Sequence, residues 1–543
     1  MKKNLFYKVG AIALASMCTL GITGCGDNKK NVASNDDNSL EVYVWNAGYG
    51  YEWLEVLLQD FGQQAWVKEK YPNYQYFTVI NDQNTYGQDR MAAGSSNTID
   101  LFMTGDMDAY FGSGDLVDLK EVVFEKEVPG ENVLYKDKML PAIYSSLGYT
   151  PYGEDKTYYE TTPWTMGVGG IVYNKTLFEE LGLTVPRTTD ELFEMMDTVK
   201  SWNGTKAAYP YTYSYIASQI TYADYMFPVF WAQYEGLDNY TNFQNAIDEE
   251  GVHNSINILY QKGRLEAWKV WENLLTEANG YYDRSSPNRD FISGQSYLLL
   301  RRGLFMTSGD WFSNEMKDLA EGYKAEGYND VVSMMKTPIV SAIKDKLTTI
   351  KTDELLRQVI DEIDSGATSS AISGVSQADF DRVREARGVM MTNNSSSHTV
   401  IPSNASAKEL AIDFLRYMAT DKANELYATY TSGGKLPFQY DFRTQAADKY
   451  NELNKTQSST LFLQAEVGQM LLRPHMSIMD TKATDFAKYG GFSIYAGSTT
   501  SDWFNGFVYG GATSQDLWQA PIDYYTADNN AKWTRCLQNA GML

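Results

Sequence analysis

Over residues 40–103 the spacing of apolar positions changes twice. Leu40-Glu41-Val42-Tyr43-Val44-Trp45 half-alternates and is rich in β-branched and aromatic residues, which predicts a strand. A Gly- and Tyr-rich turn follows, Asn46 to Tyr51. Then Trp53, Leu54, Leu57, Leu58 and Phe61 recur at helical spacing, predicting a helix over 52–64. Tyr74 to Ile80 reads as a second strand and Ile99 to Met103 as a third. Strand–helix–strand alternation predicts α/β units around a largely parallel sheet. Ligands of such sheets lie outside the carboxyl ends of the strands. The loops after Trp45 and Met103 sit at those ends, which makes Tyr49, Tyr51 and Asp106 candidates.

Further along, Gly170 to Lys175 is a short strand leading into a helix, Thr176 to Leu181, closed by Gly182. Thr188, with Glu191 three residues later, forms a capping-box signature ahead of Leu192, Met195, Met196 and Val199. Tyr297 to Phe305 is mostly apolar and leads to Thr307-Ser308-Gly309-Asp310-Trp311. Between 341 and 390 the texture changes. Leu347, Ile350, Leu355, Leu356, Val359, Ile360 and Ile363 have helical spacing among charged residues, which predicts a helical insertion with a solvated face. Val400-Ile401-Pro402 is a strand remnant, and Ala405 to Thr420 a helix. No repeat of the ~20–50 residues that mark solenoids or propellers is visible.

The N-terminus carries an address. Lys2, Lys3 and Lys8 precede an apolar run, Val9 to Thr23, of about 15 residues. That is short of the ~20 needed to span a bilayer. It ends in Leu20-Gly21-Ile22-Thr23-Gly24-Cys25, which resembles the bacterial lipobox, where the cysteine is acylated and the chain cut before it. Residues 1–24 are thus expected to be a signal peptide and 25–39, polar and aperiodic, a lipid-anchored tether. The remainder is expected outside the cell membrane, anchored through Cys25.

Composition narrows the chemistry. The 543 residues are 43% hydrophobic and 21% charged, a globular balance with room for several cores. Lys and Arg total 46 against 69 Asp and Glu, for a net charge of -23. So acidic a chain does not grip nucleic acid through general electrostatics. Cys18, Cys25 and Cys536 are the only cysteines; Cys18 lies in the expected leader and Cys25 is expected to be acylated, so no intrachain disulfide framework is available. His253, His398 and His475 show no metal-ligand spacing. Neither a metal nor a cofactor is expected.

Several segments together resemble the extracellular solute-binding proteins of ABC importers, the maltose-binding type. The strongest is Gly170 to Leu192, GIVYNKTLFEELGLTVPRTTDEL, similar to that family's "YNK…F…GL…P.TW.EL" with Thr189 where Trp is usual. Asp100 to Leu119, Gly303 to Trp311 before Thr337-Pro338, and Lys408 to Thr420 with Gly434-Lys435-Leu436-Pro437 add to it. The resemblance implies an α/β, two-lobed periplasmic-binding-protein-like fold (type II), with hinge crossovers and a ligand cleft between lobes. It puts the crossovers near Met166–Tyr173 and Val331–Val340. Lobe one is then 40–165 plus 338–420, insertion included, and lobe two 166–337 plus 421–543. The expected function is binding a carbohydrate, an oligosaccharide, and delivering it to the permease subunits of an ABC importer, as a monomer and without catalysis.

Sugars offer apolar CH faces to aromatic rings and hydroxyls to Asp, Asn and Gln. By position, Trp45, Asn46, Tyr49, Tyr51, Asp106, Trp164, Tyr222, Asp310, Trp311 and Trp503 are the ligand candidates. Each has a plainer alternative. Trp45, Trp164 and Trp503 could be core, Tyr222 and Tyr225 could be core of lobe two, and Asp106 could cap a helix. Where the family often has an acid in the crossover, this chain has Gly169 and Gly170. Two other readings compete. One is a binder of a peptide or polyamine. The other is a secreted glycoside hydrolase, which needs two carboxylates flanking the scissile bond; nothing marks such a pair.

Overall fold

The computed structural model describes residues 38–543 except 47, 83–86, 106, 151–154, 203–213, 219–221, 223–224, 284, 286–287, 393–396, 457–476, 480–485, 487–489 and 496–499. The expected leader, Cys18, Cys25, Asp106 and His475 lie outside the described residues. The described strands are, in chain order, β1 (Ser39–Trp45), β2 (Tyr76–Asp82), β3 (Leu101–Thr104), β4 (Thr162–Pro163), β5 (Val168–Asn174), β6 (Phe305–Gly309), β7 (Val332–Met335), β8 (Met390–Thr392), β9 (His398–Val400) and β10 (Ser477–Met479).

They form two sheets. The first has the order β2-β1-β3-β9-β4, the second β10-β8-β5-β6 with β7 also on β5. In the first, β1 runs parallel to both β2 and β3, with Val42 opposite Val79 and Leu101. The helix between β1 and β2, Glu52–Gln63, buries Trp53, Leu54, Leu57, Leu58 and Phe61, the five residues whose spacing predicts it. Each such side chain contributes about 1.5–3 kcal/mol relative to staying in water. This helix therefore fixes where the β1 loop points. The α/β, two-lobed architecture expected from the sequence is the one observed.

In β5, which pairs with β6, β7 and β8, successive side chains serve opposite faces. Val168 and Val172 join a core that runs from the first sheet through Trp53 and Trp164 to Met306, Trp311 and Val332. Ile171 and Tyr173 join the other core, behind the second sheet. Gly182 ends the helix Lys175–Leu181 at φ 69°, the left-handed conformation that favours glycine. Its start is capped by Asn174, which accepts from the Leu177 N–H at 2.8 Å. The box at Thr188 is only half formed. Thr188 accepts from the Glu191 N–H, but the Glu191 carboxylate turns to the Arg187 N–H at 2.7 Å and to its guanidinium at 2.6 Å. Arg187, just before the cap, outcompetes the Thr188 N–H for that carboxylate because its guanidinium bonds are charge-assisted.

The insertion contains two helices, Asp353–Asp364 and Gln377–Gly388. Their buried residues, Leu356, Val359, Ile360, Ile363, Phe380 and Val383, pack into the core behind the second sheet rather than on lobe one. β4 belongs to the first sheet, β5 to β8 to the second, and β9 to the first again. Conversely Ala423, Tyr427, Leu436 and Phe438, expected in lobe two, pack with the first core. Short apolar runs such as Val331 to Val340 show a strand but not which sheet it joins, and a charged amphipathic helix fits any apolar face of the right size.

Cys536 is a free, buried thiol, and burial pushes its pKa up. A chain beginning at residue 26 is expected to give about one titratable thiol in denaturant and a much slower reaction when folded. An absent thiol without reductant would reveal an intermolecular bridge.

Candidate functional site

The loop after β1 and the segment after β6 meet. Gly50 adopts φ 70°, which turns the chain sharply, and Trp53 Nε1 donates to its carbonyl at 3.0 Å. That turn carries Tyr49 inward, where it is 5% exposed. From the other side β6 ends at Gly309, and the helix Phe312–Ala325 starts at once. Asp310 and Trp311 occupy the junction, at the carboxyl end of a strand and ahead of a helix, where the fold places ligands.

Two links cross this seam, and Val168 of β5 braces one of them from within the second sheet. The Tyr49 hydroxyl donates to the Asp310 carboxylate in a short bond. The Val168 N–H donates to the same oxygen, Oδ1, at 3.1 Å, and the Asp310 N–H donates to the Val168 carbonyl at 3.0 Å. Asn314 donates from its side-chain amide to the Gly48 carbonyl at 2.8 Å. The Tyr49 hydroxyl is held protonated: burial comes first, and the Asp310 charge adds to it. A buried tyrosinate beside a carboxylate is unfavourable on both counts.

Around this bridge the rings form two groups. Trp311 lies 5.2 Å from Tyr225 and 5.9 Å from Tyr222, centroid to centroid, and its Nε1 donates to the Tyr222 hydroxyl at 3.2 Å. On the other flank Trp164 stacks on Trp53 at 5.6 Å and 10°, meets Tyr49 edge-on at 6.4 Å, and leaves its buried Nε1 without a partner. Tyr427 closes that group, 4.9 Å from Trp53, with its hydroxyl on Thr165 at 2.8 Å.

The glycines that replace the family's crossover acid are explained here. A Cβ on Gly169 would lie 2.4 Å from Tyr225 Cγ. The ring of Tyr225 thus occupies the space an acidic side chain would fill. Likewise a Cβ on Gly48 would lie 2.8 Å from both Trp311 Cβ and Glu315 Oε1.

Of the sequence candidates, Tyr49, Trp164, Tyr222, Asp310 and Trp311 are brought together. Trp45, Asn46 and Tyr51 are half-buried on or beside the β1 loop, Asn46 donating its N–H to the Asp82 carbonyl at 2.8 Å. Asp106 lies outside the described residues. Trp503 is not with them. It is 1% exposed in the core behind the second sheet, 4.8 Å from Trp268 and 5.7 Å from Trp271, and a ring enclosed there has no face for a ligand at the seam. Sequence reasoning missed Glu315, Gln295 and Asn314. Asn314 and Glu315 follow Trp311 by three and four residues on one helix, so their shared face was readable once Trp311 was chosen. Gln295 comes from a different helix and carried no signal.

Among the described residues no three His, Cys, Asp or Glu side chains are grouped to hold a metal ion. Nor is any described helix long and apolar enough to cross a membrane.

Residues 49–292 match the family model described as bacterial extracellular solute-binding protein. The multiple sugar-binding protein of Streptococcus mutans is 22% identical over 203 residues, 37% of this chain and 43% of that protein, so the chain spans less than half of that relative. The apo form of RafE from Streptococcus pneumoniae superposes with a TM-score of 0.54 at 13% identity, covering 90% of this chain and 96% of that one. Maltose-bound MalE3 of T. maritima gives 0.52 at 14%, covering 89% and 98%. A structure described for xylan utilization by Caldanaerobius polysaccharolyticus gives 0.55 at 13%, covering 89% and 99%. Those likenesses establish a shared two-lobed fold, and over residues 49–292 the chain is similar to the bacterial extracellular solute-binding proteins.

Proposed function

We propose that the chain captures a carbohydrate, an oligosaccharide, between its two lobes outside the cell and passes it to the permease subunits of an ABC importer. The observation that carries this reading is the convergence of Trp311, Tyr222 and Tyr225 from one side with Tyr49 and Trp164 from the other, around a buried carboxylate. Rings provide apolar platforms for sugar CH faces at low side-chain entropy, while Asp310, Asn314 and Gln295 are hydrogen-bonding groups of the kind hydroxyls need. The matched family and the named sugar-binding relative point the same way. On this reading Trp45, Asn46 and Tyr51 line the same cleft from the β1 loop, and Asp106 is a further ligand candidate. The lobes divide at 164–167 and between β8 and β9, and the protein works as a monomer tethered through Cys25.

A thermal-shift screen over plant and host oligosaccharides tests this. A cognate sugar at about 100 times its Kd is expected to add ~2.7 kcal/mol of stability and to be recovered intact. Stabilisation by peptides or polyamines alone would replace the sugar reading, and cleavage of the sugar would replace binding by hydrolysis. Anchoring has its own check. Cys25→Ala is expected to release the chain from membranes, since a lost acyl anchor removes ~0.8 kcal/mol per buried CH₂, with sugar affinity unchanged. An unacylated Cys25 in the mass of the native protein would remove the anchor.

A further inference from the structure

The seam contains one carboxyl group that the ligand reading does not use. Glu315 lies one helical turn beyond Trp311, partly buried, with Gly48 of the first lobe lying over it. Its Oε2 accepts from Gln295 Nε2 at 2.6 Å. Gln295 is itself fully buried and also bonds the Tyr222 hydroxyl, and among the described residues its Oε1 has no partner. Since amide oxygen and nitrogen can exchange places by a flip, a protonated Glu315 would give that side chain the O–H donor it lacks, whereas a carboxylate cannot.

The groups facing Glu315 leave its charge uncompensated. From its own lobe comes the hydroxyl of Tyr222, kept protonated by burial first and by the Glu315 charge second. The first lobe presents Tyr49, bound to Asp310, and Glu52, whose carboxylate lies beside Gly50. The nearby cation on its own helix, Lys317, donates to Asn314 at 3.3 Å. Among the described residues no cation pairs with Glu315.

We propose that Glu315 is a closure-linked proton acceptor: when the lobes close, Gly48 covers its carboxylate, and closing takes up a proton. Burial in the present arrangement, with Gly48 over it, pushes its pKa up to about 7 from the ordinary 4.5, with the Gln295 bond opposing the rise. The sign follows from linkage. The closed form binds the proton more tightly, so closure is favoured as pH falls from about 7 toward 4.5. Below that both forms are protonated, and above about 7 both are ionised and the benefit is gone. Within the window the closed-to-open ratio should change by up to about tenfold per pH unit, one proton being taken up.

This rests on reading the seam as the closing cleft, but the test needs no sugar, so it stands apart from whether sugars bind. Nitroxides placed on the full chain at Lys126→Cys and Lys324→Cys, on the two lobes, report the distance between them by pulsed electron resonance from pH 5 to 8. The short-distance population is expected to grow several-fold from pH 8 to pH 5. Glu315→Gln, which copies the neutral acid, should be largely closed at every pH, and Glu315→Asp should restore a pH dependence. A wild-type distance distribution that ignores pH, or the same dependence surviving in Glu315→Gln, would overturn the proposal.

Discussion

Trp311→Ala is expected to weaken oligosaccharide binding by ~2 kcal/mol or more, about thirtyfold in Kd, as truncated hot-spot aromatics do. The ring is only 6% exposed, yet its surroundings are not those of an ordinary core residue. It folds back over Gly309, where a Cβ would lie 2.2 Å from the far edge of the indole, and its own Cβ is covered by Gly48 of the other lobe. Its single polar atom is satisfied by Tyr222, from the same lobe. On the proposed closing cleft, the cover that Gly48 gives it is lost when the lobes part. Truncating a tryptophan in a permanent core costs ~3–5 kcal/mol of stability. Here the unliganded melting transition should move by less than that, because the open form exposes the ring in any case. Calorimetric titration beside unliganded melting separates the two roles. A large loss of stability with affinity preserved would make Trp311 a packing residue and leave the seam without its platform.

The sequence makes the β1 loop and the β6 junction legible because both are punctuated. Gly48 and Gly50 bracket Tyr49, and Gly309 precedes Asp310-Trp311, so ring and acid stand where neither strand nor helix periodicity accounts for them. It misleads at Trp503, where the same punctuation, a Gly-, Ser- and Thr-rich stretch, surrounds a ring that packs against Trp268 and Trp271. Composition near a residue says that the backbone turns there, not which side of a sheet the turn faces. The insertion shows the same limit. Its helices are readable to within a few residues from Leu356, Val359, Ile360 and Ile363, but their partner surface is set by Ile339, Val340 and Ile343, which run ahead of them on the second sheet's side. Pairing information of that kind is absent from local periodicity. Asp310 was readable as polar and near the site. That its Oδ1 would be shared between a tyrosine of the first lobe and the Val168 N–H was not, since both partners lie more than a hundred residues away.

Gly48→Ala is expected to hold the lobes apart. Gly48 is not among the residues with positive φ, so alanine is acceptable to the backbone there, and the open form should fold and melt much as before. Closing is another matter. The new methyl would lie 2.8 Å from Glu315 Oε1, which can swing aside, and 2.8 Å from Trp311 Cβ, which cannot. That atom is fixed to the backbone at the head of the helix Phe312–Ala325, and interiors transmit such overlaps rather than absorb them. Backing the loop off also lengthens the 2.8 Å bond from Asn314 to the Gly48 carbonyl and the bridge from Tyr49 to Asp310. Losing two cross-lobe hydrogen bonds of about 0.5–1.5 kcal/mol each predicts a rise in Kd of about tenfold or more. Small-angle scattering gives the sharper reading. Wild type should contract when its sugar is added, whereas Gly48→Ala should keep nearly the same radius of gyration with and without it. A variant that binds and contracts as wild type does would show that Gly48 and Trp311 are not in contact when the ligand is held, and would move the closing surface elsewhere on the two lobes.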